Sequence, residues 1–290
     1  INMKEDAVKA DLCGEIRSWK VTEIHIIRAS GCLSQPERSK RLHHFFADPT
    51  QVAEDTIFIT GPDVNHMKHV LRMKPGEEVL ISDGTGRDYT CEVEAFEPDR
   101  AVVRIHSVCD SRMELPAEIW LFQGLPKADK MELIIQKVVE LGAFAVVPVA
   151  TKNAVVRLDE KKAQAKGKRW QAIAESAAKQ SKRSRIPQVE PVMTLKEAFS
   201  FVRDGEFDLC LIPYELETGM DTMKQALAKA APGQNIAVFI GPEGGFHEEE
   251  IQTALETGIC PVSLGSRILR TETAGLAILS VLMMKLEGAF

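Results

Sequence analysis

The chain has 290 residues, 44% of them hydrophobic and 27% charged, with 36 Lys and Arg against 42 Asp and Glu for a formal net charge of −6. That apolar content supplies a real core and excludes wholesale disorder. The mildly acidic balance excludes a generic nucleic-acid coat, so any contact with RNA or DNA must gather its cations on one surface. Cysteines at 13, 32, 91, 109, 210 and 260 show no Cys-x-x-Cys spacing, which argues against a zinc ribbon or a thioredoxin-type centre and fits free thiols in a reducing cytosol. No apolar run approaches the ~18–20 residues of a membrane span, and residues 1–13 lack the apolar stretch of a secretory signal, so no membrane partner is expected.

Residues 1–41 read as an N-terminal extension of unassigned role. Within it 21–27 has strand character, and 30–41, with Pro36, Arg38, Lys40 and Arg41, reads as a linker. From 42 to about 111 the signals are short strands and tight turns, the pattern of a small barrel or sandwich without a parallel β-α-β unit. The run 56–59 is β-branched and aromatic. Residues 62–71 place Val64, Met67, Val70 and Leu71 at helical spacing behind Asp63 as a cap. Strands at 78–82 and 88–96 flank Asp83-Gly84-Thr85-Gly86, a strong hairpin signal, and 101–108 alternates as a further strand.

Beyond residue 112 strands alternate with helices, which means β-α units around a mostly parallel sheet. Strands are expected at 119–123, 144–149, 207–213, 235–240 and 261–264. Helices are expected at 130–141, stopped by Gly142, then at 160–182, 195–202, 220–230, 248–257 and 273–286. The last helix is apolar nearly all round, through Ala274, Leu276, Ala277, Ile278, Leu279, Val281, Leu282, Met283 and Met284. It is therefore either deep core or an oligomer interface.

Ligands of open α/β sheets bind beyond the carboxyl ends of the strands, and three such segments stand out. The first follows Leu211 and Ile212 and begins Pro213-Tyr214-Glu215. The second follows Ile240 and reads Gly241-Pro242-Glu243-Gly244-Gly245-Phe246. Its glycines permit close backbone approach to a ligand, although a tight turn alone explains them equally well. It is neither a phosphate-binding P-loop nor the Gly-x-Gly-x-x-Gly of a dinucleotide fold, which counts against a nucleotide-dependent oxidoreductase. The third runs from Leu264 and Gly265 through Ser266, Arg267, Ile268, Leu269, Arg270, Thr271, Glu272 and Thr273 into the final helix. The plainer reading there is a cap from Thr271 or Thr273 with a surface ion pair.

Between 161 and 185 nine basic residues (Lys161, Lys162, Lys166, Lys168, Arg169, Lys179, Lys182, Arg183 and Arg185) face a single acid, Glu175. This is either a solvated helix face or a polyanion contact, with Gln180, Ser181, Lys182 and Arg183 in a loop before Pro187. His66 and His69 lie three apart, as metal ligands do, but no third ligand is evident and a packing role is preferred.

The second and third segments together resemble the ribosomal RNA small subunit methyltransferase E family, the 16S rRNA uridine-N3 methyltransferases of the SPOUT superfamily. Further matches are Lys127-Ala128-Asp129-Lys130 with Lys137, Glu140, Leu141 and Gly142; Glu175, Gln180, Ser181, Arg183 and Pro187; and His43-His44-Phe45-Phe46 with His66-Met67-Lys68-His69-Val70-Leu71-Arg72. The likeness covers roughly residues 42–290 and departs at Ala178-Lys179, where an acid is expected. It implies an α/β fold in which a small PUA-like β-barrel, residues 42–111, precedes a SPOUT methyltransferase domain, residues 112–290. The mostly parallel sheet of that domain would be flanked by helices and end in a trefoil knot, which periodicity does not reveal. It implies S-adenosylmethionine as cofactor, held by Leu211, Ile212, Pro213, Tyr214, Ile240, Gly241, Pro242, Glu243, Gly244, Gly245, Leu264, Gly265, Arg267, Ile268, Leu269, Arg270, Thr271, Thr273 and Ala274. Arg270, Glu243 and Glu272 would be the catalytic groups. Arg72, Lys127, Lys130, Gln180, Ser181, Lys182 and Arg183 would contact 16S rRNA, within the small ribosomal subunit. A cytoplasmic homodimer follows from the same resemblance, and no metal. The alternative is a non-catalytic RNA-binding assembly factor, which needs no cofactor.

Overall fold

The computed structural model describes residues 42–111 and 113–290. The strand expected at 21–27 and the linker expected at 30–41 lie outside the described residues.

Five strands form the first sheet: β1 (His43–Phe46), β2 (Thr56–Thr60), β3 (Glu78–Ser82), β4 (Arg87–Phe96) and β5 (Arg100–Asp110), in the order β1-β3-β4-β5-β2. The turn at 83–86 joins β3 and β4 antiparallel, as expected. Gly84 and Gly86 take φ +77° and +110°, and the Asp83 carboxylate accepts from the Thr85 amide at 2.8 Å. Three features differ from the expectation. The short β1 pairs with β3 in parallel. No pairing joins the edge strands β1 and β2, so the sheet is open rather than a closed barrel. The helix of 62–71 is a single turn, α1 (Pro62–Asn65), continued by a wider π-type turn (His66–Val70). Its N-cap is Gly61 at φ +74° rather than Asp63, because Pro62 takes the first helical position and leaves Asp63 inside the turn. Ile57, Ile59, Met67, Val79, Ile81, Cys91, Val93 and Val103 fill the core beneath the sheet.

The second sheet holds β6 (Glu118–Gly124), β7 (Ala145–Ala150), β8 (Gln188–Val189), β9 (Met193–Thr194), β10 (Leu209–Pro213), β11 (Asn235–Ile240) and β12 (Cys260–Val262). Their order is β12-β10-β11-β6-β7-β8, with β9 also on β7, and every pairing is parallel. Near-continuous apolar runs such as Ile119 to Phe122 and Ile236 to Ile240 suit strands covered on both faces. On one face Ile119, Leu121, Val146 and Val238 pack under α2 (Lys130–Glu140), α3 (Glu160–Ser181) and α7 (Thr271–Leu286). On the other Phe122 stacks on Phe239 with centroids 4.4 Å apart, under α4 (Leu195–Asp204) and α6 (Glu248–Glu256). Each such fully buried side chain contributes about 1.5–3 kcal/mol. A shorter helix, α5 (Asp221–Lys229), covers β10 and β12.

Helix ends carry their caps in sequence. Asp159 accepts from the Lys162 amide at 2.8 Å, and Thr194 and Glu197 cap α4 reciprocally. Two ends bear on the expected contacts. Gln180 and Ser181 belong to the last turn of α3, and the chain turns only at Lys182, in the left-handed conformation with φ +60°. α7 begins at Thr271, with Arg270 as an N-cap that makes no side-chain cap bond, so neither threonine serves as the cap.

Candidate functional site

The carboxyl ends of β12, β10, β11 and β6 lie side by side, so the segments leaving them share one end of the sheet. The segment after β11 is tightly folded. A Cβ on Gly241 would stand 3.0 Å from the Gly245 backbone, and one on Gly244 would stand 3.1 Å from Asn153. Gly124, at the end of β6, approaches Pro242 so closely that a Cβ would meet it at 2.7 Å. Gly245 and Gly265, at φ +63° and +102°, instead face open space. The amides from Ser266 to Arg270 make no backbone hydrogen bond among the described residues.

A buried polar chain ties these segments together. Gln123, fully buried at the end of β6, donates from Nε2 to the Gly124 carbonyl (3.0 Å) and to the Thr271 hydroxyl (2.9 Å). That hydroxyl donates to the Gly241 carbonyl at 2.6 Å. From beyond β7, Asn153 donates to the Gly244 carbonyl at 3.0 Å, and Glu250 accepts from the Lys152 and His247 amides, each at 2.8 Å.

Charge gathers at one point on the rim. The Lys130 ammonium, in the first turn of α2, lies 3.1 Å from both Glu243 Oε1 and Glu272 Oε2. Glu243 also accepts from the Lys127 amide at 3.1 Å. Burial pushes the Glu243 carboxyl up, but bonds from its own amide, Lys130 and the Lys127 amide outweigh it and hold the group below the usual range. For Glu272 burial again pushes up, and its own amide, Lys130 and Arg270 bring it down. The two carboxylates in turn raise the Lys130 pKa through their hydrogen bonds. Both glutamates are thus ionised and weakly basic. Arg270 and Arg267 are exposed and form no ion pair within 4 Å among the described residues.

Of the residues expected around the cofactor, Leu211, Ile212, Ile240, Pro242 and Thr271 are buried, so they offer a ligand backbone groups above all. Pro213, Tyr214, Gly241, Gly245, Leu264, Gly265, Leu269 and Ala274 are half-buried; Glu243, Gly244, Arg267, Ile268, Arg270 and Thr273 are exposed. The residues expected on RNA scatter more widely. Lys127 and Lys130 belong with the glutamates on this rim, whereas Arg72 is exposed beside the first sheet with φ +54°. Gln180 is exposed and lines a cleft of about 450 Å³ with Gln136, Lys137, Glu140 and Ile173, between α2 and α3. The Ser181 hydroxyl is taken by the Ala177 carbonyl at 2.8 Å, and Lys182 is exposed.

Arg183 is the correction. It is 4% exposed, paired with Glu114, and donates from Nη1 to the Val139 and Ala143 carbonyls at 3.1 and 2.6 Å. A guanidinium so engaged and buried has nothing left for a phosphate, and its place among the RNA contacts is withdrawn. Reading the sequence also passed over Gln123, Asn153 and Glu114. A polar residue closing the apolar run 119–122 was the one available signal, and it pointed to Gln123.

Residues 113–283 match the model of the RNA methyltransferase domain, and residues 59–105 match that of the RNA methyltransferase PUA domain. The chain is similar to ribosomal RNA small subunit methyltransferase E of Bacillus subtilis, 36% identical over 252 residues that span 85% of this chain and 98% of that protein. It is 31% identical to the protein of the same name from Synechocystis, over 83% of this chain and 77% of that one. Among solved structures, ribosomal RNA small subunit methyltransferase E of Neisseria gonorrhoeae, bound to S-adenosyl methionine, superposes with a TM-score of 0.69 at 33% identity, covering 83% of this chain and 96% of that one.

Proposed function

The chain belongs to the ribosomal RNA small subunit methyltransferase E family, and from that premise we propose that it transfers a methyl group from S-adenosylmethionine to N3 of a uridine in 16S rRNA. The observation that carries this reading is the cradle at the ends of β10, β11 and β12, tied by Gln123 and Thr271 and rimmed by an unpaired Arg270. The residues present fit the cofactor: Gly245 and Gly265 leave open space, and the amides of 266–270, which make no backbone hydrogen bond among the described residues, can meet an adenine edge. Leu211 to Tyr214, Ile240 to Gly245 and Leu264 to Ala274 would hold it. When bound, it supplies a methyl already activated on a sulfonium.

The protein's part is positioning and charge. Uracil N3 carries a proton and sits in the Watson–Crick edge, so the base must be unpaired or extruded first. The anion left when N3 loses its proton needs a nearby cation, and Arg270 fills that role because it is exposed and no carboxylate pairs with it within 4 Å among the described residues. Glu243 and Glu272, held ionised by Lys130, share its ammonium, and one of these carboxylates takes the proton that N3 gives up. Holding N3 in line with the methyl contributes about 7–11 kcal/mol of the barrier reduction.

Further elements of the reading are a PUA-like RNA-binding domain over 42–111, a methyltransferase domain over 112–290 and a trefoil knot. The knot is supported by the path of the chain, which leaves edge strand β12 and returns to α7 over β6 and β11. A homodimer is supported by the half-exposed apolar residues Leu276, Ala277, Val281 and Met283 on α7, beside Leu133 of α2, which is 46% exposed. Arg72, Lys127 and Lys182 would meet RNA phosphates, fixing register without reading sequence. The place of action would be the cytoplasm, on the small ribosomal subunit; among the described residues no helix is long and apolar enough to cross a membrane. Mass spectrometry of rRNA nucleosides after incubation with isotope-labelled cofactor tests this: labelled 3-methyluridine is expected, and label absent or on another nucleoside overturns it.

A further inference from the structure

Glu114 sits in the link between β5 and β6, and thus between the two sheets. Its Oε1 accepts from the Ser184 amide (3.0 Å) and the Arg185 amide (3.1 Å), and its Oε2 accepts from Arg183 Nε at 3.2 Å. Through Arg183 Nη1 the same group reaches the carbonyls that end α2, Val139 and Ala143. The neighbouring Ser111 hydroxyl lies 2.6 Å from that of Ser184. The β3–β4 turn closes on the same segment: the Ile186 amide donates to the Gly84 carbonyl at 3.1 Å, and the Arg185 guanidinium stacks over Phe144 at 4.7 Å. One carboxylate, 16% exposed, therefore fastens the linker, the exit of α3 and, through Arg183, the end of α2.

Cations from both sheets border this clasp. Lys179 of α3 lies 3.5 Å from Asp63 of α1 and 5.9 Å from the Phe46 ring of β1. The turn after Asp63 carries the exposed His66, Lys68, His69 and Arg72, and Lys182 is exposed at the end of α3. Two cationic groups on separate modules bind a polyanion best when their spacing is set beforehand, because a hinge adds an ordering cost to each encounter. A buried ion pair is a poor source of stability but a demanding one for geometry: its carboxylate and guanidinium tolerate only arrangements that satisfy both.

We propose that Glu114 is a positioning residue, and that the clasp it closes sets the small sheet at a fixed angle on the large one, so that the 66–72 turn and the end of α3 present RNA with one rigid cationic face. This rests on the RNA substrate argued above. Replacing both partners by apolar residues, Glu114→Leu with Arg183→Met, fills the space without stranding a charge and so keeps the fold while releasing the angle. The milder Glu114→Gln retains an acceptor for the Ser184 and Arg185 amides. Residual dipolar couplings of the full chain report the orientation of the two sheets, and calorimetry reports the cofactor. In the double variant the couplings of the small sheet should shrink and KM for RNA should rise about tenfold, while kcat and cofactor affinity stay within about twofold of the wild type. Glu114→Gln should fall between. Unchanged couplings with unchanged KM overturn the proposal, as does a loss of cofactor affinity or kcat in step with KM. Wild-type protein that binds no RNA defeats the functional reading instead, and leaves the couplings to judge the clasp alone.

Discussion

At the end of α3, Arg183 is 4% exposed and spends its donors on a carboxylate and two carbonyls, whereas Arg270, at the start of α7, is exposed and engages no carboxylate within 4 Å among the described residues. Both arginines stand beside helix ends in segments rich in polar residues. The difference between them is what surrounds the guanidinium. A buried cation must be saturated by the protein, and once saturated it is a structural part. A cation left exposed and unpaired keeps its field for a ligand. Lys130 is intermediate: it is bound to two carboxylates yet stays 27% exposed at the rim.

The contrast is broken most forcefully at its buried end. Arg183→Ala strands the Glu114 carboxylate and should cost about 3–5 kcal/mol, read from denaturant melts; a loss below about 1 kcal/mol would return Arg183 to the surface. At the exposed end Arg270→Ala should leave folding stability within about 0.5 kcal/mol and cofactor affinity intact, while single-turnover methylation falls about 10²–10³-fold. Unchanged turnover removes Arg270 from the chemistry. Between these extremes, Gln123→Leu cuts the tie to Thr271 without removing volume. Calorimetry should show cofactor affinity lowered about tenfold, the worth of one or two buried hydrogen bonds, with Thr271→Val matching it and Thr271→Ser close to wild type. Lys182→Gln keeps the left-handed turn but removes one exposed charge. RNA affinity should weaken a few-fold and the slope of log affinity against log salt should fall by about 1; an unaltered slope would make the end of α3 a merely solvated face.

The smallest expected effect concerns pH. Glu243 and Glu272 have depressed folded-state pKa values, so their contribution to stability is present above the ordinary carboxylate value and is lost as pH falls through the lower folded one. Lys130→Met removes one of the groups that hold them down and leaves only the backbone amides, with Arg270 for Glu272, to oppose burial. The acid-unfolding midpoint should then move to higher pH, as followed by circular dichroism; a midpoint that stays put would show that Lys130 does not govern these carboxyls.

Local pattern carried the element inventory a long way. The bounds of β3 and β11 and the starts of α2, α3, α4 and α6 follow from alternation, apolar runs and capping residues that act over a few positions, and so does the turn at 83–86. Where the local signal was short or ambiguous the structure differed: the four-residue β1, the wide turn at 66–70 and the extra half-turn of α7 before Thr273. Motif resemblance singled out the loops at 241–246 and 264–274 and through them the family, and the family comparisons agree on the family.

By itself, then, the sequence determined that β-α units follow a small β domain, where the strands end, and which glycine-rich segments leave them. These depend on neighbours in the chain. Only the tertiary structure decided that β11 lies between β10 and β6, that Gln123 reaches Thr271 across 148 positions, that Lys130 joins Glu243 to Glu272, and that Arg183 turns inward to Glu114. Such pairings are set by which surfaces meet when each sheet closes on its own core and the segments between them pack together. The state of each charge follows from the water that closure expels, and neither is written in the spacing of residues along the chain.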